Sequence, residues 1–196
     1  LQEVKNVSEP VQAYAVRIKS LTTEKTEETS LTSHEKPSIA VLPFDNMSGD
    51  SEQEYFSDGI TEDIITALSH LRWLNVIARN SSFTYKGQSP DIRQVADELN
   101  CRYVLEGSIR KAGNRVRINA QLLEGLSGNH IWAEKYDREL EDIFDLQDEI
   151  TEAVLGAIEP SLVLAEIERA KRKHPESMDA YDLFLQGLPG LYTFDI

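Results

Sequence analysis

The sequence predicts an α/β fold, an α+β sandwich in which helices pack on a mixed sheet. A continuous apolar run, "IAVLPF" at residues 39–44, has the length of a strand that is covered on both faces. Residues 115–122 instead alternate strictly between polar and apolar side chains, which is typical of a strand with one wet face. Helical spacings lie between and after these strands, so the predicted element order is βαβαβββα.

A helix is predicted directly after the first strand, because apolar residues recur there at helical spacing. These residues are Ile60, Ile64, Ala67, Leu68 and Leu71. Residues 74–87, "LNVIARNSSFTYKG", then predict a second strand, and residues 91–100, "DIRQVADELN", predict a second helix. The first half of the body is therefore predicted as βαβα.

A three-stranded antiparallel meander is predicted over residues 101–140, since "AGN" and "LSGN" divide this stretch at two turns. Residues 142–173 then have a helical pattern. Its apolar stripe consists of Ile143, Leu146, Ile150, Val154 and Ile158. Pro160 is predicted to kink or restart this helix, because proline lacks the N–H and crowds the preceding turn. A further helix is predicted within residues 174–192.

Composition narrows the classes of partner. The 196 residues include 20 Lys and Arg against 34 Asp and Glu, which gives a formal net charge of −14. This charge disfavours nonspecific binding to nucleic acid or anionic lipid, so we expect protein, cation or small-molecule partners. The single cysteine, Cys101, excludes an internal disulfide and fits a reducing compartment, so we predict a cytoplasmic location. No apolar run approaches the roughly 20 residues of a membrane span.

Residues 20–36 are predicted to form a flexible linker, because they are rich in Thr, Ser, Glu and Lys and hold no aromatic residue. Residues 36–87 and 95–140, from "KPSIAVLPF" to "AEKYDREL", resemble in order and spacing the TolB-like domain of bacterial signalling proteins. The start, "LQEVKNVSEPVQAYAV", resembles the closing segment of a class III nucleotidyl cyclase domain, with Glu3-Val4 in place of the usual Leu. "PESMDAYDLFLQGL" resembles the entry to a first tetratricopeptide helix pair.

Together these resemblances imply a middle piece of a bacterial class III adenylate or guanylate cyclase with C-terminal tetratricopeptide repeats. The implied parts are the end of a cyclase-like catalytic domain (1–19), the linker (20–36), a TolB-like domain (37–160) and a helical connector that begins the repeats (161–196). Class III cyclases hold metal ions with two acidic residues upstream of the closing segment, and those motifs are absent from this sequence. We therefore expect a noncatalytic regulatory or interaction module, with no catalytic residue, metal or cofactor of its own.

The loop "DNMSGDSEQE" at residues 45–54 is predicted to turn the chain and to cap a helix. It has neither the glycine spacing of a dinucleotide loop nor the Gly-Lys-Ser/Thr of a phosphate loop. Gly49 is fifth from Asp45, whereas a calcium loop requires glycine at the sixth position. Ser51 and Glu54 instead have capping-box spacing. Gly59 lies inside the helical pattern, where we expect a break or a close contact, backbone against backbone rather than with a ligand.

An alternative function is a small-ligand sensor, because ligands of open α/β sheets bind beyond the carboxyl ends of strands. The candidate ligand residues at the end of the first strand are Asp45, Asn46, Ser48, Asp58 and Gly59. A stand-alone enzyme is disfavoured, since Cys101 and the four scattered histidines form no catalytic or metal-binding spacing.

One basic patch is predicted on the first turn of the meander, on the face opposite Val116 and Ile118. It consists of Arg110, Lys111, Arg115 and Arg117. A solvated strand face is the favoured interpretation, and a docking surface for an acidic partner is the alternative. Protein partners are expected through the sheet face and the following repeats, and homo-oligomer formation stays open.

Overall fold

The computed structural model describes residues 36–173 and 177–192, which contain one mixed sheet of six strands and five helices. The elements of its first half are β1 (Ser38–Val41), β2 (Asp45–Asn46), α1 (Glu54–Ser69), β3 (Asn75–Val76), α2 (Arg79–Ser82) and α3 (Ile92–Glu98). Those of its second half are β4 (Tyr103–Ala112), β5 (Arg115–Glu124), β6 (His130–Glu139), α4 (Ile143–Arg172) and α5 (Ala180–Tyr192). The predicted α+β class and mixed sheet are confirmed.

The sheet has the strand order β3-β1-β4-β5-β6, and β2 pairs with β4 beyond the end of β1. β1 is parallel to both of its neighbours, with Ile39 opposite Tyr103 of β4. β4, β5 and β6 are antiparallel, so the predicted meander is also confirmed. This order leaves β6 at one edge of the sheet.

The main hydrophobic core lies between one face of the sheet and the helices α1 and α4. β5 contributes Val116, Ile118, Ala120 and Leu122, the apolar half of its alternation, and all four are buried. The predicted α4 stripe is confirmed, because Leu146, Ile150, Val154 and Ile158 are buried and Ile143 packs against them. The spacing of the buried residues therefore fits each element: every second residue in β5, and every third or fourth residue in α4.

A smaller core covers the other face of the sheet near its parallel strands. It consists of Ala40, Leu42, Val95, Ala96, Cys101 and Val104. Cys101 is thus a core residue, as predicted, and burial raises the pKa of its thiol to about 11. The thiol is therefore protonated near neutral pH, where a thiolate would be needed for nucleophilic attack.

Two details of the helices and strands differ from the sequence prediction. The predicted strand at residues 74–87 is only Asn75–Val76, followed by α2 and a 3-10 turn at Phe83–Tyr85. The Arg79 guanidinium lies 3.9 Å from the centre of the Phe83 ring, and this i,i+4 contact favours a helical turn over an extended strand.

α4 continues through Pro160 without restarting. The proline ring crowds the carbonyl four residues earlier, that of Gly156, and both residues are exposed, so water can solvate that carbonyl. Ile158 and Leu162, on either side of the proline, are fully buried in the main core. Packing on both sides of Pro160 therefore holds the helix together.

Gly107 of β4 is required by close packing. A Cβ at this position would lie 2.5 Å from the Asn119 carbonyl oxygen and 2.5 Å from the Phe44 ring. We expect Gly107→Ala to lower the free energy of unfolding by about 1–3 kcal/mol, since neither neighbour can move cheaply. Gly156→Ala is the control, because a Cβ there meets no atom within 4 Å and the helix gains about 0.5–1 kcal/mol. Equal urea midpoints for the two variants would contradict this assignment.

Candidate functional site

The loop after β2 is held by its own side chains. The Asn46 side chain accepts a bond from the Ser48 amide (3.0 Å) and donates to the Asp50 carbonyl (2.8 Å) and to the Glu54 carboxylate (3.1 Å). The Ser48 hydroxyl accepts from the Lys111 amide of β4 at 2.9 Å. Asn46 and Ser48 therefore fasten the loop to β4 and to the start of α1.

The predicted capping box is wrong. A 3-10 turn at Ser51–Gln53 precedes α1, and the residue at its N-cap is Gln53, whose side chain makes no capping bond. The Glu54 carboxylate instead bonds Asn46 and pairs with Lys86 at 3.3 Å. The extra turn displaces Ser51 from the position where its hydroxyl could cap the helix.

Asp58 and Gly59 lie on α1 and do not line the same pocket as Asp45. The Asp58 carboxylate accepts two bonds from the Lys86 ammonium, at 2.6 and 2.7 Å. α1 is continuous through Gly59, where a Cβ would collide with the Gln147 side-chain nitrogen of α4. The close contact expected at Gly59 is thus with a side chain rather than with backbone, and it lets α1 and α4 approach.

A cleft of about 680 Å³ opens beyond the carboxyl end of β1, on the polar face of the sheet. Asp45 lines it, whereas Asn46, Ser48, Asp58 and Gly59 do not. Its lining includes Leu42 and Pro43, which directly follow β1. The cleft therefore lies beyond the first strand, where the alternative sensor function would need a ligand site, but only one of the five candidate residues lines it.

The floor of the cleft is polar and hydrogen-bonded. The Gln121 amide donates to the Glu106 carboxylate at 2.5 Å, and the Asn119 amide donates to the Ser108 hydroxyl at 3.1 Å. Tyr85 lies at the rim, where its bond to Glu98 raises the pKa of the phenol to about 12. Sequence analysis missed these residues, although Asn119 and Gln121 belong to the wet half of the β5 alternation that it identified.

The structure divides the predicted basic patch. Arg110 and Arg117 lie directly opposite each other on β4 and β5, and Arg115 lies on the same face. Lys111 is opposite Val116, so it belongs to the face that carries the main core. The three arginines line a groove of about 190 Å³ together with Asp137. "The arginine groove" below means these four residues.

Charge in the arginine groove is only partly compensated. The Arg117 guanidinium donates to Asp137 at 2.7 Å, and this bond raises the pKa of Arg117 and lowers that of Asp137. In the described part of the chain, neither the Arg110 nor the Arg115 guanidinium has an ion-pair partner. Like charges opposite each other on neighbouring strands repel, so this surface favours an anionic partner.

A buried ion network connects the sheet to the last two helices. Glu166 of α4, fully buried, accepts bonds from the Arg102 guanidinium (2.7 and 2.8 Å), the Tyr103 hydroxyl (2.6 Å) and Arg169 (2.9 Å). Arg169 also pairs with the buried Asp182 of α5 at 3.2 Å. Burial raises the pKa of the Tyr103 phenol, and the nearby Glu166 carboxylate raises it further.

Two features are absent from residues 36–173 and 177–192. No helix there is long and apolar enough to cross a membrane. In the same residues, no group of three or more His, Cys, Asp or Glu side chains is arranged to hold a metal ion.

The chain is an α+β domain with an open mixed sheet, and two helices, α4 and α5, follow the last strand. Residues 34–153 match the family model of the HilA/YgeH-like transcriptional regulator, second domain, and the chain belongs to this family. It is also 52% identical, over 98% of its length, to "Putative adenylate cyclase 3" of Rhizobium meliloti (strain 1021). The chain spans 33% of that relative's length.

Solved structures give weaker likenesses. Lipoprotein GNA1162 from Neisseria meningitidis is 17% identical with a TM-score of 0.47, over 63% of this chain and 99% of that one. PelC from Paraburkholderia phytofirmans is 16% identical with a TM-score of 0.45, over 61% and 86%. TolB from Acinetobacter baumannii is 18% identical with a TM-score of 0.43, over 62% and 28%. TM-scores this low carry no argument about function.

Proposed function

We propose that the chain is a noncatalytic regulatory and protein-interaction module of a bacterial nucleotidyl cyclase, with a role in cyclic-nucleotide signalling. The observation that carries this proposal is the 52% identity, along almost the whole chain, to a protein named as an adenylate cyclase, of which the chain spans one third (33%). In this proposal the catalytic chemistry belongs to another part of the longer protein.

The family match supports a regulatory role from a second direction. The family model is named for a transcriptional regulator, and the full-length relative is named for a cyclase. These two classes have different outputs, so a domain found with both is better suited to receiving or relaying a signal than to producing one. The two contexts of the domain carry this inference, because a fold alone does not imply a function.

The proposed domain organisation follows the sequence resemblances. Residues 1–19 would close a cyclase domain, residues 20–36 would form a linker, residues 37–160 would form the TolB-like module, and residues 161–196 would begin tetratricopeptide repeats in a cytoplasmic protein. Residues 1–35 lie outside the described residues. The buried ion network supports a rigid joint. Arg169 of α4 pairs with Asp182 of α5 and with Glu166, and Glu166 in turn binds Arg102 and Tyr103 at the start of β4.

The arginine groove is the proposed docking surface for an acidic protein partner. Arg110 and Arg115 supply two guanidinium groups without an ion-pair partner among the described residues, on a chain whose net charge is −14. Guanidinium groups bind carboxylates in pairs of parallel hydrogen bonds, which makes an acidic peptide the best-matched partner.

The regulatory proposal can be tested in the longer protein that contains this chain. Replacing residues 37–192 with a flexible linker of equal length should change the rate of cyclic-nucleotide synthesis or abolish its response to the cell's signals. The double variant Arg110→Glu/Arg115→Glu should reproduce part of that change, whereas Arg72→Glu/Arg172→Glu, with the same charge change elsewhere, should not. An unchanged rate and response after the linker replacement would refute the regulatory role.

The chain by itself should make no cyclic nucleotide. Incubation with Mg²⁺ or Mn²⁺ and ATP or GTP should yield no more product than a heat-killed sample, because the metal-binding acids of class III cyclases are not in the sequence. The measurement is chromatography of the reaction with authentic cyclic nucleotides as standards. Product above the heat-killed sample would overturn the noncatalytic assignment.

A small-ligand sensor is the second candidate function, and the cleft of about 680 Å³ at the end of β1 is the observation that favours it. This volume lies within the usual range for ligand pockets, about 300–1,000 Å³. A thermal-shift screen with nucleotides and polar metabolites should find a ligand whose effect is lost in Gln121→Ala. Asn80→Ala, on α2 and away from the cleft lining, should keep it. A screen in which no compound raises the melting temperature would disfavour the sensor.

A further inference from the structure

β6 presents a long, unpaired edge. It has ten residues, His130–Glu139, and among the described strands it pairs with β5 alone. The edge strand of a sheet exposes a row of N–H and C=O groups that can accept another strand. Such an edge binds partners by main-chain hydrogen bonding, with side chains selecting the partner.

The backbone groups that face outward can be assigned. The Leu140 amide donates to the Asn114 carbonyl at 2.8 Å, in register with the β5–β6 ladder. In an antiparallel ladder, residues alternate between those bonded to the neighbouring strand and those directed away from it. Even-numbered residues of this part of β6 therefore bond β5, and the outward groups belong to Ala133, Lys135, Asp137 and Glu139. The Asp137 carbonyl accepts from the Arg138 guanidinium at 3.0 Å, so a second strand would have to replace that donor.

The charged side chains of β6 would match those of a second β6 strand if the two strands paired antiparallel about Tyr136. If two β6 strands pair antiparallel with Tyr136 opposite its own copy, Lys135 lies opposite Asp137 of the second copy. In the same register, Glu134 lies opposite Arg138 of the second copy. Symmetry repeats both pairs, so all four charged residues meet the opposite charge. Cross-strand pairs of opposite charge stabilise a sheet, and like pairs oppose it.

Neighbouring registers lack this complementarity. Moving the two-fold axis by one residue, from Tyr136 to Lys135, places Lys135 opposite its own copy. Moving it to Glu134 places that carboxylate opposite its own copy. The register centred on Tyr136 also pairs Ala133 with Glu139 and Lys135 with Asp137, all of which have outward backbone groups. Glu134, Lys135 and Asp137 are exposed, so a second copy can reach their side chains. Asp137 also bonds Arg117 and Arg138 also bonds Glu149, so each would share its charge between its own chain and the second copy.

We propose that two copies of this chain associate through β6, antiparallel and two-fold symmetric about Tyr136, so that their sheets become continuous. A two-fold interface uses the same patch on both copies, as this pattern of charges requires. The proposal does not depend on the cyclase assignment. It assigns the edge of β6 to self-association. Asp137 belongs both to this edge and to the arginine groove, whereas the three arginines lie on the face of the sheet and stay available to a different partner.

Charge exchange at one cross-strand pair tests the proposal. The wild-type chain should be a dimer by sedimentation velocity over a rising concentration series. Lys135→Asp places the new carboxylate opposite Asp137 of the second copy, and Asp137→Lys places the new ammonium opposite Lys135. Each variant should therefore shift the chain to monomer. An equimolar mixture of the two variants should form a heterodimer, because both cross-strand pairs between the two different chains then join opposite charges.

The mixed dimer of the two variants restores opposite charges at both cross-strand pairs. In a dimer of Lys135→Asp with Asp137→Lys, one cross-strand pair joins two introduced side chains of opposite charge, and the other joins the original Lys135 to the original Asp137. Both pairs are then of opposite charge, whereas each variant alone has two like-charged pairs. The mixture should recover the wild-type sedimentation coefficient.

Controls separate the interface from folding. Lys171→Asp makes the same charge change on the exposed side of α4 and should leave the dimer intact. Thermal melts should show both β6 variants folded; Lys135→Asp is the decisive one, since Asp137→Lys also removes the bond to Arg117. A monomeric wild-type chain at every concentration would overturn the proposal. So would dimers of Lys135→Asp as stable as the wild type, or failure of the two variants to associate when mixed.

Discussion

Replacing Glu166 with alanine will lower the free energy of unfolding by about 3–5 kcal/mol, because it leaves two half-buried guanidinium groups and a buried hydroxyl without the carboxylate that they bind. The Glu166 side chain is fully buried and accepts from the Arg102 guanidinium, the Tyr103 hydroxyl and Arg169. Two of these donors lie at the start of β4, and the third lies on the next turn of α4. Urea denaturation followed by circular dichroism, with linear extrapolation to water, measures the change.

Glu168→Ala is the matched control on the same helix. The Glu168 side chain is exposed and pairs with Lys171 at 2.7 Å, an interaction that water screens and that therefore adds little stability. The two variants remove the same side chain two residues apart, so their difference reports burial and pairing rather than helix propensity. If Glu166→Ala unfolds at the same urea concentration as Glu168→Ala, the network does not form in solution.

The core could be predicted from sequence because local spacing and burial agree. The alternation of β5 and the stripe of α4 each repeat with the period of their element, and each side chain of those sets faces the same core. Only packing could show that α4 continues through Pro160, because Ile158 and Leu162 lie on both sides of it in the core. Proline chemistry alone favours a break there.

The candidate site was harder to predict because its residues are distant in sequence. Glu106 and Gln121 meet only when β4 and β5 pair, and Tyr85 reaches the same cleft from the 3-10 turn before α3. The loop residues Asn46 and Ser48 carried the right chemistry for a ligand, but their polar atoms bond the loop itself and β4. Side-chain partners of this kind follow from tertiary contacts rather than from residue type.

Glu166 shows the same limit in the core. It lies four residues after Leu162 and four before Ala170, on the buried side of α4, where an apolar residue would ordinarily be predicted. A carboxylate at such a position indicates a buried partner, and the nearby Arg169 is one candidate visible in the sequence. Arg102 and Tyr103, more than sixty residues away, could be identified only from the fold.

Ile150→Ala should lower the free energy of unfolding by about 2–5 kcal/mol, the cost of a cavity at a fully buried aliphatic side chain. Ile150 is 0% exposed at the centre of the α4 stripe, in the core shared with α1 and β5. A loss of this size is a large share of the roughly 5–15 kcal/mol that stabilises a typical domain. The measurement is the same urea titration, with unchanged steepness of the transition as evidence that only stability has changed.

Glu152→Ala on the exposed side of the same helix should stay within about 0.5 kcal/mol of the wild type. It is a better control than Glu149, whose carboxylate bonds Arg138. If the Ile150 and Glu152 variants are equally stable, α4 is not packed on the sheet in solution. The helix would then be a free connector, and α5 would have no rigid path back to the domain. If the module relays a signal through a rigid joint, Ile150→Ala must lower the free energy of unfolding more than Glu152→Ala does.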